Sequence, residues 1–163
     1  MAMTTTSRAT GIPQGKHRLA QAVRQGASYN SLSQYQNGSH NFAFIAQGYF
    51  APGSYNTAHQ LQYGTGNYAG IYQDGGNDNY AWQRQSGSYN TAHQAQYGYF
   101  NVARATQSGS YNFANQYQNG SYNTATIYQP GAGNMAGQYQ TGVSNVASIT
   151  QGRNGDTATQ VQH

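Results

Sequence analysis

Charge is what this chain lacks most: 6% of its 163 residues are charged, where an ordinary globular domain carries about 25%. Large aliphatic residues are also sparse, and Gly, Gln, Asn, Ser and Tyr fill the space. A conventional aliphatic core is excluded. The chain is therefore either disordered or held together largely by backbone and side-chain hydrogen bonds. It has no cysteine, which excludes disulfides and thiolate metal sites but leaves the compartment open. No stretch approaches the roughly 20 apolar residues of a membrane-spanning helix. The first 28 residues contain no apolar signal-peptide core, so a secreted form is read here without its leader.

The formal net charge of +4 is uneven, with Arg8, Lys16, Arg18 and Arg24 all before Ser28. Beyond Tyr29, Arg84, Arg104 and Arg153 balance Asp74, Asp78 and Asp156. A basic leader on a neutral body is a weak footprint for nucleic acid or anionic lipid, and a solvated tail is the simpler reading. The three acids fall in turns or in the last repeat, so no paired-carboxylate site is expected and the chain is read as non-enzymatic. His59 and His93 hold equivalent outward positions on alternate strands, which puts them on opposite faces and argues against a shared metal. No glycine is followed by the Lys-Ser/Thr of a phosphate loop. Neither a cofactor nor a small-molecule substrate is expected.

What is present is a repeat. Asn30, Asn41, Asn56, Asn67, Asn79, Asn90, Asn101, Asn112, Asn123, Asn134 and Asn145 open successive units, and Asp156 opens the last. Six residues after each stands a glutamine: Gln36, Gln47, Gln62, Gln73, Gln85, Gln96, Gln107, Gln118, Gln129, Gln140, Gln151 and Gln162. Alanine lies two places after every opener except Asn30, where Leu32 replaces it. The step is eleven residues, broken by four extra residues between Asn41 and Asn56 and one between Asn67 and Asn79. Both insertions fall between units, where added length is cheap. Upstream, Leu19–Gln25 keeps a terminal glutamine without the asparagine and reads as a degenerate first strand. The chain divides into a flexible basic segment (1–18), that degenerate strand and its turn (19–29), and the repeat body (30–163).

An eleven-residue period also suits a right-handed helical coil. Glycine, however, stands two places after most closing glutamines, at Gly38, Gly64, Gly75, Gly87, Gly98, Gly109, Gly120, Gly131 and Gly142. Each would cost a helix about 1 kcal/mol relative to alanine. Within the unit the period is two, as in a strand. Positions one, three, five and seven are constrained and face inward; the others vary and face outward. A seven-residue strand plus a four-residue turn then gives two strands per 22-residue coil, and stacked coils give a parallel β-solenoid of cross-β type. In such a stack Asn lies over Asn and Gln over Gln, so every buried amide finds a partner in the next coil. Pro13, Pro52 and Pro130 all avoid the expected strands.

The geometry also implies polymerisation. End coils present unpaired backbone groups, no capping element follows Gln162 except His163, and complementary ends favour a head-to-tail homopolymer. Asp156 puts a charge where asparagine belongs and is expected to slow addition there. Outward aromatics gather on one set of strands: Phe42, Phe44, Tyr68, Tyr72, Phe113, Tyr117 and Tyr139. They suit either lateral contact between filaments or pairing along the stack.

The segment Gln107-Ser108-Gly109-Ser110-Tyr111-Asn112-Phe113-Ala114-Asn115-Gln116-Tyr117-Gln118 resembles the curlin repeat of bacterial curli subunits. The resemblance covers residues 30–162, with a weaker echo from Leu19. It implies a secreted functional amyloid fibre of the extracellular biofilm matrix, with cell-adhesive roles. By the same resemblance, partners are a nucleator and an outer-membrane secretion pore. Where family members often have Ser on alternate strands, this chain has Asn, and its N-terminal segment lacks a Gly/Asn-rich secretion signal. Two other readings stand beside it: within the same resemblance, a nucleator subunit, and from composition, a prion-like disordered nucleic-acid-binding segment. Fixed eleven-residue register argues against disorder.

Overall fold

The computed structural model describes residues 6–11, 19–24, 29–49 and 51–163. Its fourteen strands are β1 (Thr6–Gly11), β2 (Leu19–Arg24), β3 (Ser31–Ser39), β4 (Phe42–Gln47), β5 (Thr57–Thr65), β6 (Tyr68–Asp74), β7 (Tyr80–Ser88), β8 (Thr91–Tyr99), β9 (Val102–Ser110), β10 (Phe113–Ser121), β11 (Thr124–Gln129), β12 (Met135–Val143), β13 (Val146–Thr150) and β14 (Thr157–Gln162). Odd-numbered strands form one seven-stranded sheet and even-numbered strands the other, each in chain order. Every pairing is parallel. The chain thus winds as a two-strand β-solenoid, as the repeat requires.

Register follows the repeat. Phe113 pairs with Met135, a step of 22 residues, while the insertions stretch the step to 26 between β3 and β5 and to 23 between β5 and β7. Alanines 43, 58, 69, 81, 103, 114, 125 and 136 are completely buried, so position three carries the smallest side chain of the interior. Asparagine, the position-five residue and glutamine fill the rest of the interior.

Several expectations are corrected. Half of the strands are longer than seven residues: seven of them run to nine and take in the glycine read as a turn. These glycines stack in register, Gly38 on Gly64 and Gly64 on Gly87. At Gly87 φ is +110°, and a Cβ there would run into the carbonyl oxygen of Gly109. The left-handed conformation and the close approach both demand glycine. Gly131 follows the short β11 in a true turn, without positive φ. Gly75 belongs to the insertion instead: the ladder place in its coil is held by Gly76, whose carbonyl accepts the Asn56 amide at 2.9 Å.

The N-terminal boundaries also change. Thr6–Gly11, inside the segment read as flexible, is strand β1 and pairs with β3. The remainder of 1–18, residues 1–5 and 12–18, lies outside the described residues. The first degenerate strand sits one residue away from its expected register, with Arg24 opposite Gln47; Gln25 lies outside the described residues. This register aligns Ala20 with Ala43 in the alanine column, whereas the expected one would put Gln21 into that column of small side chains.

The two insertions share one corner of adjacent coils and satisfy each other. Asp74 Oδ1 accepts the Ala51 N–H at 2.8 Å, and Asn77 Oδ1 accepts the Ser54 N–H at 2.8 Å. Asp74 is only 5% exposed, yet its carboxylate is engaged.

Candidate functional site

The residues marked by the repeat converge on three kinds of column along the solenoid axis. Position seven carries an amide ladder in each sheet. In the odd sheet Gln36 Nε2 donates to Gln62 Oε1 at 2.8 Å, Gln62 to Gln85 at 2.9 Å, Gln85 to Gln107 at 2.9 Å, Gln107 to Gln129 at 2.9 Å and Gln129 to Gln151 at 2.7 Å. In the even sheet the run is Gln47, Gln73, Gln96, Gln118, Gln140 and Gln162, at 2.8–2.9 Å. From Gln47 to Gln140, each glutamine also donates to a carbonyl of the facing strand, as Gln96 does to Tyr80 O at 3.0 Å. Both amide hydrogens are thereby used in a buried interior, where an unmade bond would cost about 1–3 kcal/mol. Every ladder bond points the same way, from N-terminal donor to C-terminal acceptor.

Asparagine does something different from the expected side-chain ladder. Its Oδ1 accepts the backbone N–H of the next opener: Asn30 from Asn56 at 2.8 Å, Asn79 from Asn101 at 3.0 Å, Asn123 from Asn145 at 3.0 Å. Its Nδ2 donates to a glycine carbonyl in the next coil, as Asn41 does to Gly64 at 2.9 Å, Asn101 to Gly120 at 3.0 Å and Asn123 to Gly142 at 3.1 Å. Among the described residues, direct bonds between opening asparagine side chains occur in the even sheet, from Asn67 to Asn41, Asn90 to Asn67 and Asn112 to Asn90. Asparagine thus ties each corner to the one above it, and only an amide of this length supplies both the acceptor and the donor. Asn134 Oδ1 accepts the Asp156 N–H at 2.9 Å, so the aspartate keeps the backbone half of the pattern.

Position five alternates in a way the repeat did not reveal. In the first coils of the repeat body the odd sheet carries Gln34, Gln60 and Gln83 while Ile45 and Ile71 face them from the even sheet. Thereafter the even sheet carries Gln94, Gln116 and Gln138, and the odd sheet Ala105, Ile127 and Ile149. The apolar core is accordingly two clusters, Leu32, Ile45, Ala58, Ile71 and Ala81, then Ala92, Ala105, Ala114, Ile127, Ala136 and Ile149. Where the sides exchange, Gln94 is the register partner of Ile71, and its Oε1 has no donor.

The outward aromatics do gather on the even sheet, and they pair along the axis. Phe42 stacks on Tyr68 at 4.8 Å, Tyr68 meets His93 at 5.1 Å, and His93 meets Phe113 at 6.3 Å. Phe44 packs against Tyr72 at 5.2 Å and Tyr97 against Tyr117 at 5.6 Å. Tyr139 receives a hydrogen bond from Asn115 Nδ2 at 3.0 Å. His59 and His93 lie on opposite sheets. Burial beside these rings lowers the His93 pKa. Burial raises the Tyr72 hydroxyl, helped by Tyr68, and raises Tyr97, helped by Tyr117, Asp74 and Tyr72.

Sequence reasoning missed the corner aromatics. Tyr29, Tyr55, Tyr89, Phe100, Tyr111 and Tyr122, each just before an opener, adopt φ of 56–59°, a left-handed conformation costly for a bulky side chain. The N–H groups of Tyr89, Phe100, Tyr111 and Tyr122 reach back one coil, Tyr111 to Ser88 O at 3.0 Å and Tyr122 to Tyr99 O at 3.0 Å. Their rings stack in pairs at 5.0–5.2 Å: Tyr29 on Tyr55, Tyr89 on Tyr111, Phe100 on Tyr122. The recurring Tyr-Asn step was the available signal. Among the described residues no group of three or more His, Asp or Glu side chains is placed to hold a metal. Comparison with known protein families, curated proteins and solved structures finds no match to this chain.

Proposed function

We propose that the chain is a structural subunit that adds end to end to copies of itself, forming extracellular curli-type amyloid fibres of a bacterial biofilm matrix. The observation that carries the reading is the recurrence of the position-seven ladder in successive coils: the same amides stack at 2.7–2.9 Å in both sheets. Each coil is therefore a template for the next, whether that coil belongs to the same chain or another. The chemistry invested in the interior is cohesive, with no substrate pocket required, which fits a non-enzymatic role. The curlin-like repeat supports the extracellular setting, with a nucleator and a secretion pore as partners.

Two experiments test this. Protein left in buffer without denaturant assembles after a lag that vanishes on adding sonicated filaments; absence of sedimentable filaments rejects self-assembly. Antibody labelling of intact producing cells decorates surface fibres; signal confined to permeabilised cells rejects the extracellular role.

A further inference from the structure

Gln47 is fully buried, and its Oε1 has no hydrogen-bond donor. It is the first glutamine of the even ladder, and every later one in that ladder, from Gln73 to Gln162, accepts from the glutamine before it. The register places Arg24 over Gln47 and Gly11 over Gln36, so β1 and β2 supply no carboxamide to either ladder. The step into this first coil is also irregular, 25 residues from Thr6 to Ser31 and 23 from Leu19 to Phe42.

The opposite end has the complementary surplus. Gln151 Nε2 donates to Met135 O and Gln162 Nε2 to Val146 O, each at the facing-strand bond alone. Interior glutamines make that bond and the ladder bond together. A donor end and an acceptor end thus exist in one molecule, at the same position of the same column. At position five, β13 and β14 would set Ile149 over Gln34 and Gln160 over Ile45. The core already makes such a change of partner where Gln94 follows Ile71.

We propose that β1 and β2 are a displaceable cover on the growing face, and that the occupant fitted to that face is the β13–β14 coil of a second copy. In that junction Gln162 of the incoming copy donates to Gln47 Oε1, completing the even ladder. This rests on the self-assembly reading above and adds an autoinhibitory contact to it. The N-terminal strands then slow addition in the free subunit and are expelled from the stack as it grows.

Filaments of the full chain, viewed by cryo-electron microscopy, decide the point. Six coils per subunit give an axial repeat of about 29 Å, and seven give about 34 Å, at about 4.8 Å per coil. The shorter repeat is expected; the longer one, with β1 and β2 inside the stack, overturns the proposal. A second test tethers the cover. The register partners Gln21 and Phe44 become cysteines (Q21C, F44C) in a chain that otherwise has none, at a Cα separation suited to a disulfide. Oxidation is expected to slow seeded growth at least tenfold and reduction to restore it. Equal growth of the oxidised and reduced forms overturns the cover. If the unmodified chain forms no filaments at all, the self-assembly reading itself falls.

Discussion

The solenoid interior is written twice, with its sides exchanged. In the half around Ile45 and Ile71, isoleucine comes from the even sheet and glutamine from the odd; in the half around Ile127 and Ile149 the assignment reverses. Each coil outside the exchange still sets one apolar residue against one glutamine at position five. What the interior specifies there is therefore the sum of two opposing side chains, one bulky and apolar, one able to bond along the axis. Position seven tolerates no such exchange, because glutamine is needed in both sheets to bridge to the facing strand as well as along its own. The exchange has a cost: Gln94 Oε1 loses its donor.

This contrast can be broken by making one substitution in two places. Gln116→Ile interrupts a continuous ladder, stranding the Gln138 acceptor and the ladder donor of Gln94. It is expected to destabilise by roughly 2–5 kcal/mol, from more than one unsatisfied buried group, read as a lower urea midpoint for filament dissolution. Gln94→Ile, at the exchange point, removes an acceptor that already lacks a donor and moves that vacancy to Gln116, losing besides only the bond to Trp82 O. Its expected effect is within about 1 kcal/mol, and equal losses for the two variants would refute the alternating-side account.

A smaller effect concerns the end of the second half. Asp156 keeps the acceptor of the opening asparagine but not its donor, so at the proposed junction its carboxylate would meet a glycine carbonyl of the adjoining copy, where Asn41 meets Gly64 with an amide. Asp156→Asn is expected to speed seeded growth several-fold at pH 7, and an unchanged rate would remove Asp156 from the junction. The smallest effect lies on the outer face where the halves meet. The burial-lowered pKa of His93 means that the folded chain takes up the proton less readily than the unfolded one. Stability should fall as pH drops from the unfolded value of about 6.5 toward the folded one, and stay level below it. In His93→Asn that pH dependence should flatten in equilibrium unfolding.

The sequence discloses most of this because the fold is periodic. Each inward position recurs every eleven residues, so Asn, Ala and Gln announce both strand and facing. What stayed hidden has physical reasons. The exchange at Gln83 and Gln94 looks like ordinary variation until the facing pairs are known. Glycine such as Gly87 reads as a turn because positive φ is usually found there, yet a column of glycines in register continues the strand. Thr6–Gly11 carries neither asparagine nor glutamine at the marked positions and so reads as a leader. Leu19–Arg24 was misregistered because Gln25 imitated the closing glutamine, while the alanine column sets the pairing.

The account rests on coils that continue from one chain into the next, and X-ray diffraction from aligned filaments grown without denaturant tests this most directly. It predicts a sharp meridional reflection at about 4.7–4.8 Å from β-strands lying across the fibre axis. Protein that remains monomeric, or assemblies without that reflection, would contradict it.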